Sequence, residues 1–168
     1  MLQLTKRTEY GLIALVHMAN QAAATPEGVE AEVVSARAIG DLFPVPRRLL
    51  AQALKALQQG GILESTRGAQ GGYRLARGAA EISLGEIVTA LEGAPVLTGC
   101  ASLPVPNAPD ASSDGGCDVE PVCPIRSPLS RLRAGIWTLF EGISLQALAD
   151  RSIDPAQLFS TTPVSAAS

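Results

Sequence analysis

The sequence predicts a mainly α-helical protein with one small β-hairpin and a long helix toward its C-terminal end. Three observations carry that prediction. Apolar residues recur at helical spacing in two early stretches, Thr5 to Gln21 and Pro46 to Gln59. A glycine-rich turn, Gly68-Ala-Gln-Gly-Gly72, separates two short strand-like runs. Leu129, Leu132, Ile136, Leu139 and Ile143 repeat at intervals of three, four, three and four, which is a coiled-coil seam.

The elements follow in order. Tyr10, Ile13, Ala14, His17 and Met18 share one face of the first helix. Ala22 to Val34 contains Pro26, Gly28 and three glutamates and reads as a loop. Ser35 is placed to cap a short second helix ending near Phe43. Pro44 breaks the chain, and Pro46 suits the first position of a third helix that stops at Gly60-Gly61. Ile62 to Arg67 and Tyr73 to Ala76 form the hairpin. Ser83-Leu-Gly-Glu86 has capping-box form and opens a fourth helix ending at Gly93. Pro95 to Pro124 is poor in regular structure. Ser127-Pro128 is expected to open the long helix as a cap followed by proline, and Ser144 to Asp150 forms a last short one.

The third helix has two unlike faces. Leu50, Ala53, Leu54 and Leu57 fall on one side, and Arg48, Gln52, Lys55 and Gln59 lie within about 40° of one another on the other. Arg and Gln side chains can make paired hydrogen bonds to guanine and adenine edges in a major groove. Taken alone, such a helix reads first as an ordinary amphipathic surface helix. The hairpin behind it, flanked by Arg67 and Arg74, turns the set of parts into a winged helix-turn-helix. The glycine-rich tip lacks the Lys-Ser/Thr of a phosphate-binding loop and leads to a strand, so a nucleotide site is excluded.

Charge supports the same reading by its distribution. The chain has 168 residues and a net charge of −3. Pro44 to Gly78 nevertheless holds six basic residues (Arg47, Arg48, Lys55, Arg67, Arg74, Arg77) and one acid, Glu64. Ala79 to Ile125 holds seven acids and no base. Local field, not summed charge, attracts phosphate. A hydrophobic content of 46% with 4% aromatic residues fits a core of Leu, Ile, Val and Ala. No apolar run reaches the ~18 residues of a membrane span, and the N-terminus lacks a signal-peptide pattern, so a cytoplasmic protein without membrane contact is expected.

All three cysteines, Cys100, Cys117 and Cys123, lie in the polar stretch behind the fourth helix. In a reducing compartment an odd, clustered set favours metal or redox chemistry over disulfides, and soft thiolates suit iron–sulfur clusters and zinc alike. The chain has no Cys-x-x-Cys and no histidine near these residues, which argues against a thiol enzyme.

This order of parts resembles the winged-helix iron–sulfur regulators typified by IscR and NsrR, the Rrf-two family. The residues that carry the resemblance are Leu4 to Leu12, Val45-Pro46 with Leu50 and Leu54, Gly61 to Gly68, Gly71 to Ala76, the cysteines, and Ile143-Ser144-Leu145. The resemblance spans about residues 2 to 150. It implies a homodimeric repressor, not an enzyme, that binds an imperfect palindrome in double-stranded DNA. Carried over by position, Pro46, Arg47, Arg48 and Gln52 would enter the major groove, Lys55 would meet phosphate, and Arg67 would sit in the wing and reach the minor groove; Arg74, flanking the same tip, is placed to meet phosphate or the minor groove. Cys100, Cys117 and Cys123 would hold a 2Fe–2S or 4Fe–4S cluster whose state reports redox conditions, nitric oxide or iron–sulfur supply.

Two departures from the family pattern stand out. Five residues separate Cys117 from Cys123, the usual family interval, but sixteen separate Cys100 from Cys117. Ala101 to Gly116 reads as a Pro/Asp/Ser-rich insertion. IscR-like members complete the site with a histidine where this chain has Arg126, which cannot ligate. NsrR-like members use a carboxylate of the partner subunit's first helix, and Glu9 stands at that position; Asp114 and Asp118 are local rivals. His17 falls on an apolar face and reads as a core or dimer-contact residue. The alternative function is a cluster-free or zinc-binding regulator that answers to a protein partner. The expected organisation is a DNA-binding domain over 1–93, a cluster loop over 94–126, a dimerisation helix and terminal helix over 127–152, and a disordered tail over 153–168. Leu129, Leu132, Ile136, Leu139 and Ile143 would form the dimer seam.

Overall fold

The computed structural model describes residues 4–26, 32–68, 71–93 and 122–154. Helix α1 spans Lys6–Ala24, with the Thr5 side chain accepting the Thr8 N–H as its N-cap. It runs past the expected end at Gln21, because Ala22 to Ala24 are strong helix formers and only Thr25-Pro26 stops them. Helix α2 (Ala36–Leu42) is capped by Ser35, whose hydroxyl accepts the Ala38 N–H at 3.0 Å.

Helix α3 spans Arg47–Gln59. Pro46 is its N-cap and not its first helical residue: its carbonyl accepts the Leu50 N–H at 3.1 Å while its own backbone stays extended. The C-terminal stop is a Schellman turn. Gly61, at φ +71°, sends its N–H to the Gln58 carbonyl, and the Ile62 N–H returns to Leu57 at 3.0 Å. That return delivers Ile62 into the core and aims the chain into the hairpin.

Strands β1 (Leu63–Thr66) and β2 (Gly72–Leu75) pair antiparallel, with Leu63 opposite Leu75 and Glu64 opposite Arg74. Val34 adds a third edge: it exchanges two 2.8 Å backbone bonds with Tyr73 and so ties the wing to the entry of α2. Only glycine fits at 72, since a Cβ there would lie 2.5 Å from the Val34 carbonyl oxygen.

A short 3-10 turn (Ala79–Glu81) leads to helix α4 (Leu84–Glu92). The Ser83–Glu86 capping box forms as expected, with reciprocal bonds of 3.1 and 2.9 Å. Helix α5 spans Arg126–Gly142, and here the expected cap is corrected. Ile125 is the N-cap and makes no side-chain bond, while Ser127 and Pro128 sit inside the first turn. Proline is tolerated there because its missing N–H would have had no helical partner. Helix α6 (Leu145–Ala149) is capped by Ser144.

One core joins these parts. Ala14 and Leu15 of α1, Leu50, Leu54 and Leu57 of α3, Ile62, Ile87 and Leu91 of α4, and Leu145 of α6 are all fully buried. Each such leucine or isoleucine contributes about 1.5–3 kcal/mol by leaving water. Helix α6 therefore packs in the same core as the winged helix, though the chain reaches it only after α5. Two 2.8 Å backbone bonds fix the return, Leu84 N–H to Ile143 and Leu145 N–H to Ile82.

Candidate nucleic-acid interface and cysteine segment

The outward face of α3 carries the expected stripe. Leu50, Ala53, Leu54 and Leu57 are buried, while Arg47, Arg48, Gln52, Lys55 and Gln59 are exposed. No acidic residue stands in the first turn of α3, and Pro46 offers no side-chain cap. The leading N–H groups and the positive end of the helix dipole thus stay available to a phosphate. Arg47 is steadied from behind by Asp41 of α2, at 3.5 Å, which also holds Arg37 at 3.7 Å.

The wing is built the same way from its cross-strand pairs. Arg67 is exposed just beyond β1, next to Gly68 at φ +121°. Arg74 is less free than its sequence position suggests, because its Nε and Nη2 reach Glu64 Oε2 at 3.1 and 3.0 Å across the hairpin. The tip residues 69 and 70 lie outside the described residues. Behind the wing, Arg77 binds Glu86 at 2.8 Å and so links the hairpin to the capping box of α4. Burial pushes the Glu86 carboxyl upward, but the Ser83 N–H and the Arg77 guanidinium outweigh it and hold the pKa below the ordinary value.

Of the cysteines, Cys123 alone is described: a half-buried free thiol shortly before α5. Cys100 and Cys117 lie outside the described residues, as do Asp114 and Asp118. Among the described residues, no three His, Cys, Asp or Glu side chains converge on a point that could hold a metal ion. The donor set is nonetheless chemically suited to iron–sulfur or zinc, being three thiols with a carboxylate in reserve. The first turn of α5, just after Cys123, has neither an acidic residue nor a side-chain cap.

Glu9 lies half-exposed in the first turn of α1, with Lys6 Nζ 2.6 Å from its Oε2. Beside it stands a contact that sequence reasoning missed. Glu92, the last residue of α4, accepts the Thr5 N–H at 3.0 Å, the Thr5 hydroxyl at 2.6 Å and the Thr8 hydroxyl. Burial pushes its carboxyl upward, yet those donors and the Arg7 charge prevail and hold it below the ordinary value. The partners are 84 and 87 residues apart, and no local pattern signals such a pair.

Along α5, Leu132 is 56% and Leu139 40% exposed, with Leu129 and Ile136 partly covered. Ile143 is buried at 5%, in the turn that leads into α6. Val122 and Ile125, both exposed, extend the same three-four spacing ahead of the helix, a continuation that was readable in the sequence. Arg133 is the one buried residue of α5, at 3% exposure, and its Nε and Nη1 find no hydrogen-bond partner among the described residues. His17 packs edge-on against Phe43, with ring centroids 5.6 Å apart, a packing role and not a ligand position. No helix among the described residues is long and apolar enough to cross a membrane.

Solved structures share this arrangement. The global cysteine regulator CymR of B. subtilis is 25% identical with a TM-score of 0.61, over 89% of this chain and 97% of that one. The oxidized form of Staphylococcus aureus CymR is 25% identical at a TM-score of 0.60, over 91% and 99%. T. potens IscR has the same fold at 21% identity and a TM-score of 0.61, over 93% and 96%. The overall fold of this chain is thus that of solved transcriptional regulators. The chain belongs to the Rrf2 family of iron-dependent transcriptional regulators, whose family model matches residues 4–151.

Proposed function

We propose that this regulator is a homodimeric repressor whose grip on an imperfect palindrome is set by an iron–sulfur cluster. The observation that carries the DNA half is the exposed Arg48–Gln52–Lys55 stripe on a helix whose opposite face is wholly buried. Arg48 and Gln52, near the leading end of α3, read base edges, Lys55 meets phosphate, and Arg67 reaches the minor groove from the wing. Pro46 and Arg47 enter the groove with that first turn. Arg74 supports the wing through its pair with Glu64.

For the cofactor half, Cys100, Cys117 and Cys123 are the thiolate ligands and Glu9 of the partner subunit is the fourth. Such a cluster supplies one-electron and ligand-exchange chemistry responsive to oxidants, nitric oxide or iron–sulfur supply. The protein's part is to supply sulfur donors from a segment rooted on α4, and α4 packs directly on the recognition helix. Affinity for DNA then reports the state of the segment, provided the two states differ in how they place α3 and the wing.

The test is isolation under strict anaerobiosis, with iron and sulfide quantitation, a visible spectrum and gel-shift titration of loaded and stripped protein. Equal operator affinity in both forms would refute the sensing role. Arg48→Ala is expected to lose about 1–3 kcal/mol and relax base preference. Lys55→Ala is expected to weaken all sequences alike and flatten the salt dependence. A second reading is favoured by the likeness to CymR: a regulator without a cluster, answering to a partner or holding zinc. Iron-free, sulfide-free protein that still binds its operator would select it.

A further inference from the structure

Arg37 stands outside the DNA-binding set named above, yet the fold holds it beside that set from two sides. On one side its Nε lies 3.7 Å from Asp41 Oδ2, and the other oxygen of Asp41 lies 3.5 Å from Arg47 Nη2. The stem of Arg47 runs along α2, since a Cβ on Gly40 would meet its Cγ at 3.8 Å. The two guanidiniums therefore share one face of the corner between α2 and α3, and their side chains are 83% and 75% exposed. One carboxylate between two cations leaves that corner positive. On the other side, Val34 exchanges two 2.8 Å backbone bonds with Tyr73 of β2, and Ser35 caps α2. Arg37, the second residue of α2, thus follows directly on a junction fixed to the wing.

A helix in the major groove and a wing in the adjacent minor groove must straddle one sugar–phosphate strand. Helix α2 is fastened to both, to the recognition helix through Asp41 and Arg47 and to the wing through Val34 and Tyr73. We infer that Arg37 contacts a backbone phosphate of that strand, a DNA contact beyond the α3 stripe and the wing arginines. The inference rests on the DNA-binding half of the proposed function and makes no use of the cysteines. A guanidinium carries five N–H donors, so one long contact to Asp41 leaves donors for phosphate oxygens. Phosphate carries no base identity, so Arg37 adds affinity for every sequence and chooses among none.

The experiment titrates the full chain into a fluorescently labelled random-sequence duplex, long enough for two half-sites, at a series of salt concentrations. Such a probe needs no operator and reads phosphate contacts through the slope of log affinity against log salt. Arg37→Gln is expected to flatten that slope by about 0.9 for each subunit bound. An increase in salt of about fourfold would then weaken wild type roughly 3.5-fold more per subunit than it weakens the variant. Arg37→Lys keeps the charge and is expected to keep the wild-type slope. Arg151→Gln, which removes an exposed cation just after α6, is expected to keep it too. Melting temperatures verify that each variant is folded. A wild-type slope in Arg37→Gln, a flattened slope in Arg37→Lys, or equal flattening in Arg151→Gln would overturn the phosphate contact alone. Wild-type protein that does not bind the duplex, or binds it independently of salt, would overturn the DNA-binding reading itself.

Discussion

Gly60 marks where the recognition helix touches the helix that leads to the cysteine segment, and substituting it tests that contact. A Cβ added at Gly60 would lie 2.7 Å from the Ala90 Cβ and 3.7 Å from its Cα. Carbon atoms prefer about 3.5–4.0 Å, so the overlap approaches roughly 1 Å and α3 must move away from α4. Overpacking of this kind costs about 1–3 kcal/mol. Gly60 sits at φ −78°, a conformation alanine adopts freely, so the substitution also gains about 0.4–1 kcal/mol by restricting the unfolded chain. The expected net is a loss of about 1–2 kcal/mol, a fall of roughly 2–8 °C in Tm for a chain of this size. Removing the opposing methyl with Ala90→Gly costs about 1 kcal/mol alone through helix propensity. In the Gly60→Ala/Ala90→Gly double variant the clash is gone, and the coupling energy is expected to exceed about 1 kcal/mol. Denaturant melts of the four proteins give that number, and gel shifts show whether operator affinity follows it. Strictly additive effects, or a Gly60→Ala protein as stable as wild type, would refute the close approach.

Other expected outcomes follow from single contacts. Glu92 and Glu86 both have folded-state pKa values below the ordinary carboxyl value of 4.5, so their contribution is complete above that pH and is lost as pH falls through the folded values. Melting temperature against pH should therefore drop below about pH 4.5, less steeply in Glu92→Gln, and an unchanged acid limb in that variant would contradict its bonds to Thr5 and Thr8. Arg133→Met replaces a buried cation whose Nε and Nη1 are unpaired among the described residues, and should stabilise the protein by about 1–4 kcal/mol. A destabilised Arg133→Met would mean that the guanidinium finds a carboxylate in the assembled dimer. Leu132→Glu with Leu139→Glu places charges on the exposed seam and should convert a dimer to a monomer by light scattering, with helix content unchanged by circular dichroism. A dimer that survived both would place the interface elsewhere.

Much of this fold was legible because its local signals agree with one another. Ser35, Ser83 and Ser144 each cap the helix they precede, and Gly60-Gly61 forms the turn its residues suggest. The polar stripe of α3 was visible because its leucines and its long polar side chains separate cleanly at helical period. Where local signals compete, reading failed. Ser127-Pro128 has the form of a helix start, but Ile125 and Arg126 take the helical path two residues earlier and absorb the proline in the first turn. Three more contacts had no local signal. Glu92 meets Thr5 and Thr8 from the far side of the wing, Arg133 is buried on an otherwise exposed helix, and Arg74 is drawn to Glu64 by a register that only the formed hairpin defines.

The placement of α4 explains why one helix can serve both halves of the molecule. Its first residues are tied to the wing through Arg77 and Glu86, and to the end of α5 by the bond from Leu84 to Ile143. Its last turn presents Ala90 to the end of the recognition helix. Its last residue grips the cap of α1, and the cysteine segment follows directly after the Gly93 C-cap. Close-packed contacts shift as units and transmit small displacements with little loss. A change that re-seats the segment must therefore either break the Glu92 clasp or carry α4 with it. In the second case the Gly60–Ala90 contact obliges α3 to follow. The two cases separate experimentally: with the clasp removed, operator affinity should cease to depend on the state of the cysteine segment, even where the segment still changes state.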